Sequence, residues 1–233
     1  RQKLADFASA AGNAERLRHW QREIVKADAA AGAARTDRTR YLAAKASLAL
    51  ATPSRDAFRA VKLTAPLNRS LANKRRALET ALAGYRAAAD YAIAEVTTTA
   101  NFEIAELYRQ LAADLLASER PSRLSADARE QYDLLLEEQA YPFEEQSIKL
   151  HEANAALGRD GIYDAGVRGS FEALAKLSPG RYGKSEQAGG YVRTVSLGPV
   201  LPESVPARAA QDLDRAVSLA EAGQAAEAEL EFR

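Results

Sequence analysis

Cysteine is absent from the 233 residues, which removes disulfides, thiolate zinc sites and thiol nucleophiles together. Methionine is absent too, where ordinary usage would give on the order of five. No run approaches the roughly 20 consecutive apolar residues of a membrane helix, so nothing in this sequence is expected to span a bilayer. Neither sign of charge is in excess. With 32 Lys+Arg against 32 Asp+Glu, the whole-chain field that would gather nucleic acid or anionic lipid is missing. Aromatics are only 7% although hydrophobic residues reach 47%. Alanine supplies the difference, and an alanine-rich interior favours helices in close contact over a core built on a sheet.

Apolar periodicity predicts helix over most of residues 1–186. Leu4, Phe7, Ala8 and Ala11, then Leu17, Trp20, Ile24 and Ala27, follow three- and four-residue steps, with Gly12-Asn13 as an interruption. Thr36-Asp37 offers a cap for a helix carrying Tyr41, Leu42, Ala46 and Leu48 up to Thr52-Pro53, and Ser54 is read as capping a third, short helix with Phe58. Pro66 opens a long helix through Leu67, Leu71, Leu78, Leu82 and Tyr85. Phe102, Ala105, Tyr108, Leu111 and Leu115 make the next, ending at Ser118-Glu-Arg-Pro121. Ser125 caps another, expected to break or kink at Pro142, with Phe143 starting its successor. Val167, Phe171, Leu174 and Leu177 mark a last helix closed by Pro179-Gly180. Glycine and proline then dominate, with a β-like run at Tyr191-Val-Arg-Thr-Val-Ser-Leu197, and residues 187–206 are read as a linker.

Residues 207–233 end in Gly223, Ala228 and Phe232, a spacing that resembles half of a tetratricopeptide (TPR) helix pair. The same Gly-x4-Ala-x3-bulky spacing occurs at Gly84, Ala89 and Ile93, 139 residues earlier, where four periods of about 34 residues would give about 136. Because the second helix does not finish, and because the chain starts at Arg1 rather than methionine, it is expected to be a fragment of a longer repeat protein.

Glu95-Val-Thr-Thr-Thr-Ala100, Ser118-Glu-Arg-Pro121, the stretch from Gln131 to Glu145, His151-Glu-Ala-Asn154 and Leu177-Ser-Pro-Gly-Arg-Tyr182 resemble a family of bacterial cell-envelope TPR proteins. Members of the kind occur with Tol/Exb-type motor and gliding-motility components. The family pattern carries tryptophan after Tyr163-Asp164, where this chain has Ala165-Gly166, so packing around that helix is expected to differ. The resemblance implies a periplasmic or outer-membrane-associated scaffold with no catalytic residue or cofactor to carry over.

Four patterns invite a chemical reading. Ser178-Pro-Gly-Arg-Tyr-Gly183-Lys184-Ser185 is similar to a phosphate-binding loop but lacks the first glycine and the preceding strand. Glu137, Glu138, Glu144, Glu145 and Glu152 lie near His151 as an inventory for a carboxylate metal site, yet position 148 is Ile where a Glu-x-x-His pair needs glutamate. Ser170 has no strand-turn-helix setting to expose a nucleophile. The basic runs Lys74-Arg75-Arg76 and Arg35, Arg38, Arg40 fit exposed helix faces better than a nucleic-acid site.

Trp20, Tyr41, Tyr85, Tyr91, Phe102 and Tyr108 are expected to plug seams between helices. Tyr141, Phe143 and Glu144, at the Pro142 break, are the residues expected to touch a partner. The sequence thus predicts an all-α, right-handed α-solenoid of TPR-like antiparallel helix pairs over 1–186, a linker, and the start of a TPR unit. Its expected function is non-catalytic protein–protein interaction, with partners among envelope or motor-complex proteins and no cofactor, metal, nucleic acid or membrane span. A helical metal- or ligand-binding protein using residues 137–152, and a purely structural spacer, are the alternatives.

Overall fold

In a computed structural model, residues 1–183, 214–219 and 221–222 are described, and among them every regular element is helical. The chain divides into two compact units, Arg1–Lys184 and Ser185–Arg233. The first holds α1 (Gln2–Ala10), α2 (Ala14–Ala29), α3 (Asp37–Ala60), α4 (Leu67–Ala89), α5 (Ala94–Leu116), α6 (Ala126–Ala156), α7 (Ala165–Leu177) and the single turn α8 (Pro179–Tyr182). In the second, residues 214–219 are helical. The linker at 187–206, its β-like run and the Gly223, Ala228, Phe232 spacing lie outside the described residues.

Local chemistry sets most boundaries. Asn13 accepts from the Arg16 N–H to start α2, Ser125 from Ala128 to start α6, and Asp164 from Val167 to start α7. At α3, Thr36 and Thr39 cap each other reciprocally.

Two expected breaks do not occur. α3 runs through Pro53 and α6 through Pro142, each as one helix. A mid-helix proline costs about 3 kcal/mol through its missing N–H and its clash with the preceding turn. Both prolines face solvent, and both are flanked by anchored turns: Ala51 and Phe58 around Pro53, Ala140 and Ser147 around Pro142, all buried. Burying Phe58 alone contributes roughly 2 kcal/mol, which offsets most of the local defect at Pro53.

Each helix packs on its sequence neighbours, and α5 also meets α3 and α7. The largest core joins the end of α3, α4, α5 and the middle of α6 through Phe58, Leu78, Leu82, Tyr85, Leu107 and Leu111. A smaller one joins α1, α2 and α3 through Ala5, Ile24, Ala43 and Ala46. Alanine permits the close approaches, as at Ala44, Ala88 and Ala105, which are wholly buried. Gly84 serves contact rather than a turn: it lies inside α4, where an added Cβ would come within 3.0 Å of Ala51 Cβ on α3. The turn of that segment comes later, at Asp90 and Tyr91. With 24, 23, 23 and 31 residues, α3 to α6 are also longer than the halves of a repeat of about 34 residues.

Polar ties hold the helix ends. Lys74 is fully buried, contrary to the exposed basic run expected at Lys74-Arg75-Arg76. Its ammonium donates to the carbonyls of Phe58 (2.8 Å) and Val61 (2.9 Å) at the end of α3, pairs with Asp114 (2.6 Å), and lies 4.1 Å from the Phe58 ring centre. It neutralises the negative end of one helix while bridging to another. Around Ser118-Glu-Arg-Pro121, Arg120 donates to the carbonyls of Leu116 and Ser118 at the end of α5 and to Asp133 on α6. Glu119 takes the Ala65 N–H and gives its own N–H to Leu63, fastening the α3–α4 connection.

Candidate functional site

Three helices meet around a polar cluster. Asp164, the N-cap of α7, accepts from Val167 N–H through Oδ1 and from the Thr98 hydroxyl on α5 through Oδ2 at 2.6 Å. Asn154 on α6 directs its amide to Thr98 O (3.1 Å), Gly166 O (3.2 Å) and Ser170 Oγ (2.9 Å), so one side chain holds α5, α6 and α7 in register. The contact needs Gly166. A Cβ there would lie 2.6 Å from the Thr98 carbonyl carbon, so α7 sits against the bare α5 backbone. Ala165-Gly166, where a tryptophan was the family expectation, is therefore the feature that lets α7 approach.

One turn before Asn154, His151 Nδ1 lies 3.2 Å from Ser170 Oγ and Nε2 lies 3.4 Å from Glu106 Oε1. The second distance suits an electrostatic contact rather than a well-formed hydrogen bond. With Nε2 protonated toward the carboxylate, Nδ1 accepts from the Ser170 hydroxyl, whose oxygen accepts from Asn154. That tautomer is assigned from the network. Glu106 also takes a two-pronged contact from Arg109, at 2.8 to 3.0 Å. Burial on its own would raise the Glu106 carboxyl, but His151 and Arg109 outweigh it and hold its pKa at about 2.

Ser170, His151 and Glu106 form a chain of the order found in acyl-transfer triads, though nothing in the sequence spacing joins them. Ser170 and His151 are fully buried, and the Phe102 ring lies against His151. The serine hydroxyl is shared between His151 and Asn154, so the cluster acts as a clamp between helices. A shallow cleft of about 290 Å³ lined by Phe102, Glu106, Arg109, Gly169 and Lys176 opens beside it.

The acidic inventory around His151 disperses. His151 faces inward, whereas Glu152 is held by Arg181 at 2.7 Å and the Tyr182 hydroxyl at 3.1 Å. Glu137, Glu138 and Glu145 point to solvent. Among the described residues, no group of three or more His, Asp or Glu is placed to hold a metal ion. The loop-like Ser178-Pro-Gly-Arg-Tyr segment is the short turn α8, following a helix rather than a strand, and Lys184-Ser185 lie outside the described residues.

The partner residues expected at Pro142 separate. Tyr141 is 63% exposed. Phe143 turns inward and stacks on Tyr108, ring centres 6.4 Å apart, and Glu144 is half-buried. Leu134 and Leu135, 55% and 57% exposed, join Tyr141 instead. Of the seam aromatics, Tyr85 is buried, Trp20, Tyr91, Phe102 and Tyr108 are half-buried, and Tyr41 is exposed beside Glu95.

No family model, curated protein or solved structure matches this chain. Among the described residues, no helix is long and apolar enough to cross a membrane.

Proposed function

We propose that the protein is a non-catalytic protein–protein interaction scaffold in a bacterial cell-envelope assembly, periplasmic or outer-membrane-associated, and that its helices form a right-handed solenoid of TPR-like antiparallel pairs. The observation that carries the interaction reading is α6. Its inner face is fixed by Asn154 and His151, while its outer face presents Leu134, Leu135 and Tyr141 to solvent. A surface already ordered binds without the entropic cost of arranging itself, which is what a docking platform needs. The repeat reading draws on neighbour-to-neighbour helix packing and on the spacing at Gly223, Ala228 and Phe232, with helices longer than the usual repeat. The envelope setting draws on the residue resemblance alone.

The test is affinity capture with the full chain from a bacterial envelope extract, followed by titration of the recovered protein. Saturable one-to-one binding by a recurrent envelope component is expected. Recovery of nothing saturable would favour a structural spacer and remove the scaffold reading.

A further inference from the structure

We infer that the outer face of α6 is a docking surface for a basic amphipathic helix of a partner protein. This rests on the scaffold reading and names its surface. Gln131, Leu134, Leu135, Glu138, Tyr141 and Pro142 recur at three- and four-residue steps, so they share one side of α6, opposite the buried Leu136, Ala140 and Ser147. Three large apolar side chains more than half exposed on one stripe form a patch that soluble surfaces seldom leave open without a use. From Gln131 to Glu145 the stripe runs about 21 Å, the length of a four-turn helix laid beside it.

Charge selects the occupant. Between Glu130 and Ile148 the sequence has six carboxylates and no lysine or arginine, in a chain whose totals of the two signs are equal. Asp133 is paired with Arg120 and Glu145 with Lys149, but Glu130, Glu137 and Glu138 have no ion-pair partner among the described residues. Carboxylates crowded along one helix repel one another, and cations from a partner relieve that repulsion. Pro142 adds a polar demand on the same side, because its missing N–H leaves the Glu138 carbonyl without its intrahelical donor. Leucine-type anchors flanked by Lys or Arg answer all three features. An anionic membrane would be repelled by the same carboxylates, and a second copy of this face would bring like charges together.

The experiment uses the full chain and three synthetic peptides of about 18 residues: an amphipathic Leu/Lys helix, a Leu/Glu counterpart, and a Leu/Lys scramble of the same composition without the helical stripe. Binding is followed by fluorescence anisotropy and its footprint by hydrogen exchange. The Leu/Lys helix is expected to bind one per chain, protect residues 130–145 and weaken with salt. Leu134→Ser/Leu135→Ser and Glu137→Gln/Glu138→Gln should each lose at least about tenfold in affinity, with unchanged helical circular dichroism because all four positions are exposed. Equal binding by the scramble, a footprint elsewhere, dimers through this face in sedimentation, or a preference for anionic vesicles would overturn it. If a captured envelope protein still binds the Leu134→Ser/Leu135→Ser chain at full affinity, the docking surface is wrong while the scaffold reading stands. If capture itself fails, the scaffold reading goes with it.

Discussion

Gly166→Ala is the sharpest test of how α5, α6 and α7 are joined. The added methyl would sit 2.6 Å from Thr98 C, 2.7 Å from Thr98 O and 2.8 Å from Thr99 N, all backbone atoms that have no rotamer to change. Ordinary carbon contacts begin near 3.5 Å, so α7 must retreat by roughly 1 Å. Overpacking of this kind costs about 1–3 kcal/mol. Retreat also stretches the Asn154 bonds to Thr98 O and Gly166 O, and a buried amide that loses a partner costs about 1–3 kcal/mol more. Against this, alanine is favoured over glycine within a helix by about 1 kcal/mol. The net is a loss of about 3 kcal/mol, or roughly 6–12 °C in Tm for a domain of this size. Thermal and urea unfolding by circular dichroism would read it, with Gly158→Ala as the comparison. There the nearest neighbour of a new Cβ is Phe171 at 3.8 Å, and a change within about 0.5 kcal/mol is expected. Equal stability of the two variants would refute the close-contact account.

Glu106 sets an acid limit. Its folded pKa of about 2 lies below the ordinary 4.5, so the carboxylate stabilises the fold fully above pH 4.5, and that stability is lost as pH falls toward 2. The shift corresponds to about 3 kcal/mol, reduced to about 2 by solvent at its partly open rim, and Glu106→Gln should flatten the stability profile in that window. Lys74→Met removes the donor from two helix-end carbonyls and the cation from Asp114, which keeps the Gln110 amide and some solvent, and should cost about 2–3 kcal/mol, whereas exposed Arg75→Gln should stay within about 0.5 in the same denaturation assay. A thermal-shift series with Zn²⁺, Mn²⁺ and Mg²⁺ should leave Tm unmoved. A stabilisation of several degrees by one metal would restore the acidic region as a site.

The helical class and some helix starts were legible because both are local: periodicity gives the helix, and Thr36 and Ser125 announce their own caps, whereas Asn13 read only as an interruption and the cap at Asp164 emerges from the structure. The continuity of α3 through Pro53 and of α6 through Pro142 was not legible, for the complementary reason. Whether a helix survives Pro53 or Pro142 is decided by burial of the neighbouring turns, which no local signal reports. Lys74 fails in the same way, since a basic tripeptide looks exposed until the end of another helix is found beside it. Asn154, Thr98 and Gly166 come together from three helices, and only their presence among the resemblance motifs and the missing tryptophan hinted at a role.

α6 shows how far residue type can mislead about orientation. A helix ordinarily turns its leucines inward and its polar residues outward. Here the second half buries Ser147, His151 and Asn154, and the first half exposes Leu134, Leu135 and Tyr141. The inversion is held at two of these positions by contacts to α5 and α7: Glu106 faces His151, and the Asn154 amide N–H groups point to Ser170, Thr98 and Gly166, while the Ser147 hydroxyl has no hydrogen-bond partner among the described residues. A buried polar clamp fixes the rotation of the helix about its own axis more tightly than interchangeable apolar contacts would. With that rotation fixed, the leucines are held outward and cannot relieve their exposure by rolling into the core. The apolar stripe is thus a consequence of the clamp, and loosening the clamp through Asn154→Ala should blur the face even though Asn154 touches none of its residues.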